Sequence, residues 1–336
     1  MCYVCRYAND REATRKELTA EQWIKIAEEA RDEGLYFVTL TGGEIFLRQD
    51  FRQIYEALSN MGFRINLYTN GSLITDETAK WLAKIPPRMV SITMYGASAE
   101  TYKAITGHRD GFERAMRGIR ALLDNGVPTE IKTTVVKANQ HEFDALVKIA
   151  DQFDLMLGLV NYVAPRREGF GTDPLTNRLT PQETVCHNEQ FERYIEDYLK
   201  KNRTSNAQTQ QMEIIDPWSE SEAAAAQDMP NASAFGCTAG RSACWFSWDG
   251  KITPCAFLPV PEVSILDRPF KQAWEELKAK CREVPRCREC MECDIKEACI
   301  TCPGRLYVET GSFDKKADYL CELARCRMSL RQKCEF

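Results

Sequence analysis

The spacing of cysteines over the last hundred residues, 237–336, is the feature that most constrains this chain. Twelve of its fifteen cysteines lie there. Cys237, Cys244 and Cys255 come first, and Cys290-x2-Cys293-x5-Cys299-x2-Cys302 and then Cys321 follow. Clustered C-x2-C pairs in a chain of 336 residues indicate metal ligands in a reducing compartment, not the disulfide framework of a small secreted protein.

The composition excludes several classes of protein. Hydrophobic residues make up 44% of the chain and charged residues 28%, which is typical of a globular protein. The net charge of −5 gives no basic footprint for nucleic acid. No apolar run reaches the roughly 18 residues of a membrane-spanning helix, and no signal peptide is visible. We therefore expect a cytoplasmic protein with no nucleic-acid or membrane partner, long enough for one large domain and a smaller one.

Strand and helix patterns alternate through the first half of the chain. Helical periodicity covers 20–33, 50–61, 75–84, 111–125 and 141–153, and strands are predicted at 35–40, 65–69, 90–94, 130–136 and 157–163. Each connection is long enough for a right-handed crossover, so the pattern predicts a parallel α/β fold, either barrel-like or doubly wound. Leu35–Leu40 has no polar face, which predicts a strand covered on both sides.

The alternation stops near residue 164. A helix is predicted over 181–200, and the polar stretch 201–236 is interpreted as a linker containing at most one short helix. Within the cysteine-rich region, two short strands around Asp249-Gly250 predict a β-hairpin, and a helix is predicted over 270–281.

Two motifs in the first half carry chemistry. Cys2-Tyr3-Val4-Cys5 precedes the first helix, and Thr41-Gly42-Gly43-Glu44 follows the first strand. Together they resemble the radical S-adenosylmethionine (radical SAM) superfamily, whose fold is a partial parallel (β/α)6-type barrel. The resemblance implies a [4Fe–4S] cluster held by a C-x3-C-x2-C motif, with an open iron for the amine and carboxylate of S-adenosylmethionine (SAM). Catalytic metal sites in general keep one coordination position open for a substrate or water.

Two registers of the cysteine motif fit this resemblance. In the favoured one, Cys2 and Cys5 are the second and third cluster ligands; in the other, Cys2 is the third ligand and Cys5 is extra. Because the chain opens in the middle of the motif, we expect that the first strand and the first ligand lie upstream of it.

The resemblance also implies a set of SAM-binding residues: Gly42, Gly43, Glu44, Thr69, Asn70 and Thr93. Ordinary turns at Gly42-Gly43 and at Asn70-Gly71 are the structural alternatives. Ile45 stands where relatives usually have proline, and Tyr95 stands where they usually have an aspartate. No catalytic acid or base is therefore assigned.

Four further polar residues lie near predicted strand ends. Lys132 and Asn139 could contact SAM, and Arg166 and Arg167 could bind a carboxylate or peptide carbonyls at the mouth of a barrel. Surface positions and loop salt bridges are the alternatives. The three histidines share no spacing, and none is assigned to a metal.

The cysteine-rich region resembles the SPASM domain, which carries two auxiliary [4Fe–4S] clusters. The resemblance assigns Cys237, Cys244, Cys255 and Cys302 to the first cluster, and Cys290, Cys293, Cys299 and Cys321 to the second. The interval before Cys302 is two residues, where the family usually has three. Cys281, Cys287, Cys326 and Cys334 are surplus, and one of them could substitute for a ligand. Structural zinc at all-thiolate sites is the alternative.

The resemblance predicts three segments: a radical SAM partial barrel over 1–200, a linker over 201–236 and a SPASM domain over 237–336. It implies an enzyme that cleaves SAM reductively to a 5′-deoxyadenosyl radical and modifies a ribosomally made peptide by hydrogen abstraction. The products would be a thioether, a carbon–carbon crosslink or an oxidised residue. The implied partners are a peptide or protein substrate and an electron donor such as flavodoxin or ferredoxin. Formylglycine formation, as in anaerobic sulfatase maturases, and a non-catalytic zinc-ribbon interaction protein are the alternatives.

Overall fold

The structure, a computed structural model, describes residues 15–165, 174–202 and 234–334. Cys2, Cys5, Arg166 and Arg167 lie outside the described residues, as does most of the predicted linker. The chain divides into two compact units. The first contains Met1–Val163, Glu168–Arg178 and Pro269–Lys271, and the second contains Ala164–Arg167, Leu179–Arg268 and Gln272–Phe336.

One sheet of five parallel strands organises the described part of the first unit. In chain order the strands are β1 (Phe37–Leu40), β2 (Arg64–Thr69), β3 (Met89–Met94), β4 (Thr129–Thr134) and β5 (Leu157–Val160). They lie side by side in that same order. A doubly wound sheet reverses its strand order at a switch point, whereas a barrel adds each new strand next to the last one. The sheet therefore has the barrel-type winding, and the predicted parallel α/β fold is confirmed.

Helices connect these strands. They are α1 (Ala20–Asp32), α2 (Phe51–Asn60), α3 (Asp76–Lys84), α4 (Ala99–Thr106), α5 (Gly111–Asp124) and α6 (Phe143–Gln152), with short 3-10 turns at Ile45–Leu47, Gln140–Glu142 and Pro174–Asn177. Thr19 caps α1 through a reciprocal capping box with Gln22, as the sequence predicted. Helix α4 is an addition to the predicted elements.

The two faces of the sheet differ in burial. Along β2 and β4, alternate residues are buried, as expected where helices cover one face. The opposite face is more open: the side chains of Phe37 and Val160 are 62% and 43% exposed. Among the described residues, none of the side chains of β1 is buried, so the prediction that Leu35–Leu40 is covered on both sides is wrong. We call the opposite side the open face of the sheet.

The second unit contains short elements around its cysteines. They are α7 (Pro181–Asn202), β6 (Trp245–Phe246), β7 (Lys251–Thr253), β8 (Val263–Ser264), α8 (Phe270–Arg282), α9 (Arg288–Met291), α10 (Pro303–Thr310) and α11 (Asp318–Cys334), with a 3-10 turn at Lys296–Ala298. Strands β6 and β7 form the predicted hairpin, and β8 adds a third antiparallel strand.

Helix α7 belongs to the second unit by its packing. Val185 packs with Leu323 and Cys326 of α11 in one buried cluster, and Tyr319 donates a hydrogen bond to the Leu179 carbonyl at 3.0 Å. The predicted radical SAM segment, 1–200, includes this helix, whereas its packing assigns it to the second unit. Among the described helices, none is long and apolar enough to cross a membrane.

Candidate functional site

The predicted Thr-Gly-Gly-Glu motif lies at the carboxyl end of β1. Glu44 turns its carboxylate toward the end of β2, where it accepts hydrogen bonds from the Thr69 hydroxyl at 2.7 Å and the Asn70 backbone N–H at 2.8 Å. The Phe46 N–H adds a third bond at 3.3 Å. Burial raises the pKa of Glu44, and these hydrogen bonds oppose the increase. Glu44 therefore joins two strand ends through bonds within the chain.

The glycines of the same motif leave their backbone accessible. Gly42 and Gly43 are exposed, and no atom lies within 4 Å of the place where a side chain on Gly42 would begin. A ligand can approach this backbone closely. Glu44 thus connects the ends of β1 and β2 through hydrogen bonds, whereas the backbone of Gly42 and Gly43 is accessible to a ligand.

Thr69 and Asn70 form the turn after β2. The Thr69 hydroxyl donates to Glu44 and accepts from the Gly71 N–H at 3.0 Å, and Asn70 Oδ1 accepts from the Ser72 N–H at 2.9 Å. The polar atoms predicted to face SAM are engaged in shaping this turn. The structure therefore brings Glu44, Thr69 and Asn70 together as predicted, and their contact with SAM stays a prediction.

Thr93 lies on the next strand, with its residue paired in register with Lys132 of β4. Two residues further on, Tyr95 packs its ring edge-on against Tyr102 at 5.6 Å and joins a cluster with Val136. The position where relatives carry an aspartate is therefore occupied by an aromatic side chain that packs in the core.

Asn139 has a structural role. It is 2% exposed and donates hydrogen bonds to the carbonyls of Tyr95 and Thr134, both at 3.0 Å, while its Oδ1 accepts from the Val136 N–H at 2.8 Å. These bonds clamp the segments that follow β3 and β4. The surface alternative weighed for Asn139 is wrong, because the side chain is buried and bonded to backbone.

Lys132 belongs to a polar network on the open face that the sequence analysis did not assemble. Its ammonium lies 2.8 Å from Glu130 and 3.2 Å from the Tyr68 hydroxyl, and 4.6 Å above the centre of the Tyr68 ring. Ser91, in register with both Tyr68 and Glu130, donates to Glu130. Burial lowers the pKa of Lys132, but Glu130 and Tyr68 outweigh it and the pKa is raised. The period-two spacing of Glu130 and Lys132 was the available signal for this network.

In the second unit, four cysteines assigned to one auxiliary cluster come together; we call Cys290, Cys293, Cys299 and Cys321 the second thiol group. Cys290 interacts electrostatically with Cys299 and Cys321, and Cys293 interacts with the same two. Burial, with the neighbouring thiols, raises the pKa of Cys290 to about 12. Thiolates crowded in this way repel one another unless a metal supplies positive charge.

Three of the four cysteines assigned to the other cluster also approach one another; we call Cys237, Cys255 and Cys302 the first thiol group. The Cys255 and Cys302 sulfurs flank Gly304, lying 3.5 and 3.7 Å from where its side chain would begin. Cys237 interacts electrostatically with both. Burial raises the pKa of Cys255 to about 11. A side chain at residue 304 would fill the space between these sulfurs.

Cys244 has a different thiol neighbour. Burial, followed by the charge of Cys281, raises the pKa of Cys244 to about 12. The Cys281 sulfur lies against Gly240, in the loop that separates Cys237 from Cys244. The structure therefore pairs Cys244 with a surplus cysteine, and its predicted role as a ligand of the first cluster stays a prediction.

The other surplus cysteines fall into distinct surroundings. Cys287 hydrogen-bonds with Cys290 of the second thiol group, whereas Cys326 packs in the apolar cluster between α7 and α11. The side chain of Cys334 lies outside the described residues. None of the twelve cysteines whose side chains the structure describes forms a disulfide.

The donor chemistry of these groups fits an iron–sulfur cluster. All their donors are cysteine sulfurs, and a [4Fe–4S] cluster is held by four cysteine thiolates, each bound to a different iron. The all-cysteine donor sets and the space beside Gly304 therefore suit a thiolate-bound cluster.

Comparison with known proteins agrees with this reading. Residues 1–150 match the family described as the radical SAM superfamily. The chain is 27% identical to the AdoMet-dependent heme synthase of Methanosarcina barkeri over 95% of this chain and 91% of that protein. It is 26% identical to the sporulation killing factor maturation protein SkfB of Bacillus subtilis over 79% of this chain and 59% of that protein.

A solved structure matches almost the whole chain. SuiB of Streptococcus suis, in complex with its precursor peptide SuiA, superposes with a TM-score of 0.68 at 19% identity. The superposition covers 95% of this chain and 72% of SuiB.

Residues 1–150 therefore form a radical SAM domain, and proteins of that superfamily use SAM and a [4Fe–4S] cluster. The chain shares the fold of SuiB, with a parallel α/β unit and a cysteine-rich unit with a small antiparallel sheet. The predicted radical SAM domain and the predicted fold are confirmed.

Proposed function

We propose that this chain is a SPASM-type radical SAM enzyme that modifies a ribosomally made peptide. The open face of the sheet is the observation that carries the proposal. Across this face, the Lys132 ammonium and the Glu130 carboxylate neutralise one another, with Tyr68 beside them. The exposed apolar side chains of Phe37 and Val160 flank them. A mixed, locally neutral surface suits a peptide backbone, which brings both hydrogen-bond donors and acceptors.

The residues of the first unit would orient the cofactor at the carboxyl edge of the sheet. The Gly42 and Gly43 backbone would accept the amine of SAM, and Glu44 would keep the ends of β1 and β2 aligned beneath it. When bound and given an electron, SAM and the N-terminal cluster supply a 5′-deoxyadenosyl radical that abstracts hydrogen. The protein's own task is to position the substrate and exclude competing reactions.

Cys2 and Cys5 would ligate the cluster that binds SAM. The two thiol groups of the second unit would hold the auxiliary clusters. We further propose flavodoxin or ferredoxin as the electron donor and the reducing cytoplasm as the compartment, because clustered C-x2-C cysteines are typical of metal ligands in a reducing compartment.

Heme synthesis is the second candidate, and it rests on a different observation: similarity to the Methanosarcina heme synthase extends over 95% of this chain. A tetrapyrrole with carboxylate side chains would call for cations that are not already neutralised. The Lys132–Glu130 ion pair, with its 2.8 Å separation, favours a peptide over such a substrate.

The test separates the two candidates in one assay. Anaerobically reconstituted enzyme is incubated with SAM and dithionite, in one arm with short peptides encoded beside its gene and in the other with an iron tetrapyrrole bearing carboxylates. We expect 5′-deoxyadenosine to increase, and a product of altered mass to form, only in a peptide arm. Turnover of the tetrapyrrole alone would reverse the assignment, and a conversion of cysteine or serine to formylglycine would identify the sulfatase-maturase type.

A further inference from the structure

Arg305 is a buried cation at the first thiol group. Its side chain is 2% exposed, and it lies in the first turn of α10, three residues after Cys302. Its backbone N–H donates to the Cys302 sulfur at 3.4 Å, and its Nη1 donates to the Ile300 carbonyl at 3.0 Å. The same turn contains Gly304, against which the Cys255 and Cys302 sulfurs lie. The first turn of α10 and its cap residue therefore bring the Arg305 guanidinium and the Cys302 sulfur into one place, and the Cys255 sulfur lies against the same turn.

Burial of a guanidinium has a physical requirement. Arginine stays protonated in proteins, and taking its charge out of water is unfavourable unless a negative charge lies nearby. Thiolates at Cys255 and Cys302 would supply that charge, and a cluster bound by thiolates carries net negative charge. Reduction adds one more electron to the cluster. A fixed cation beside it therefore stabilises the reduced form more than the oxidised form.

We propose that Arg305 is a positioning residue of the first thiol group, and that its buried positive charge raises the reduction potential of the cluster bound there. The inference rests on the proposed function, because it requires a cluster at this group. Arg305, in the first turn of α10, would thus influence the reduction potential of the first auxiliary cluster.

The second thiol group has cations of a different kind. Arg325 and Lys316 lie near Cys321, but they are exposed and form surface ion pairs with Glu322 at 3.0 Å and Glu289 at 2.7 Å. Solvent and salt screen such charges far more than a buried one. Arg327, near Cys299, is the matched control because it is a cation of the same type at the other group.

The experiment measures the potential of the auxiliary clusters directly. Full-length protein carrying Cys2→Ala and Cys5→Ala is reconstituted anaerobically, so that the N-terminal cluster gives no signal. EPR-monitored reductive titrations then compare this parent with its Arg305→Gln, Arg305→Lys and Arg327→Gln derivatives. Iron and sulfide are quantified in each sample.

For Arg305→Gln we expect full iron and one auxiliary signal at a more negative potential. The reduced-to-oxidised ratio should fall about tenfold at fixed ambient potential, or about 59 mV for a one-electron couple. Arg305→Lys keeps the charge and should remain near the parent, and Arg327→Gln should leave that signal unshifted. An unchanged potential in iron-replete Arg305→Gln, or an equal shift of the same signal in Arg327→Gln, overturns the inference.

Loss of the cluster from Arg305→Gln would make Arg305→Lys the deciding variant. Retention of iron at the parent potential in Arg305→Lys supports a role for charge, and equal loss of iron from it overturns that role. A parent protein that binds neither iron nor sulfide would instead defeat the proposed function, which is a different result from any of these.

Discussion

The two units of this chain satisfy their polar groups in opposite ways. At the carboxyl edge of the parallel sheet, Glu44 and Asn139 are each bonded to partners within the chain. In the cysteine-rich unit, the first and second thiol groups gather buried sulfurs whose pKa values are raised. Gathering these sulfurs stabilises the fold only when a metal converts them to bound thiolates.

The two units therefore differ in the source of their folding stability. The first unit is stabilised by hydrogen bonds within the chain and by a helix-covered core, and its glycine backbone is accessible to a ligand. The second unit has small strands and short helices, so its fold should depend on what its sulfurs bind. Each of the following predictions tests one side of this comparison.

Removal of a ligand sulfur should have the largest effect. We expect Cys302→Ala to lose iron and sulfide and to expose the amides of the second unit to rapid hydrogen exchange, because the first thiol group loses a ligand. The matched control is Cys326→Ala, since Cys326 is buried in an apolar cluster. It should keep its iron and lose only about 1 kcal/mol of stability. Equal hydrogen exchange in the two variants would contradict the comparison.

The clamp at Asn139 should give the next largest effect, confined to the first unit. Asn139→Ala leaves the carbonyls of Tyr95 and Thr134 and the N–H of Val136 without this partner. Each buried group left unsatisfied costs about 1–3 kcal/mol, which urea unfolding of the first unit would measure. Asn139→Asp keeps the acceptor for Val136, but its second carboxylate oxygen would face the carbonyls of Tyr95 and Thr134, so it should lose at least as much stability as alanine. Iron content should stay unchanged in both variants.

Close packing behind the turn after β2 gives a smaller effect. A side chain at Gly118 of α5 would overlap the Gly71 carbonyl oxygen, whereas one at Gly42 would meet no atom within 4 Å. We expect Gly118→Ala to lower the free energy of unfolding by about 1–3 kcal/mol. Gly42→Ala should leave the stability unchanged but weaken SAM binding, which calorimetry would measure. Equal stability loss in both variants would show that the backbone at Gly42 is not open.

The pH dependence of the first unit should show the smallest effect. Burial raises the pKa of Glu44 above its ordinary value of 4.5, so the folded unit holds this proton more tightly than the unfolded chain. The resulting stability is fully present below that value and is lost as the pH rises through the folded pKa. Glu44→Gln should remove this dependence and also lose about 1 kcal/mol at pH 7, because an amide N–H would face the Asn70 N–H. Urea unfolding at several pH values would check both effects.

Local patterns allowed most of the fold to be predicted. The five strands and the helices between them follow from periodicity and caps, and the β6–β7 hairpin follows from Asp249-Gly250. Helix α4 was missed although Ser98 caps its start and Gly107 ends it, because it is short and closely follows β3.

Sequence motifs indicated which residues belong to the candidate site, but not which of their atoms form hydrogen bonds with one another. The motif pointed to Glu44, yet its partners Thr69 and Asn70 lie on the next strand, and no local signal says which oxygen bonds to which. Asn139 likewise donates a hydrogen bond to the carbonyl of Tyr95, which is distant in sequence. Spacing grouped the cysteines of the second thiol group, which interact in the structure, and their role as ligands of one cluster stays a prediction. The neighbour of Cys244 depends on how α8 packs, which spacing does not encode.

Metal and sulfide analysis of the Cys2→Ala/Cys5→Ala protein, purified and reconstituted without oxygen, tests the central claim most directly. If the two thiol groups hold auxiliary clusters, this variant retains iron and acid-labile sulfide equivalent to two [4Fe–4S] clusters per chain. A protein that contains only zinc, or neither iron nor sulfide, would contradict the account.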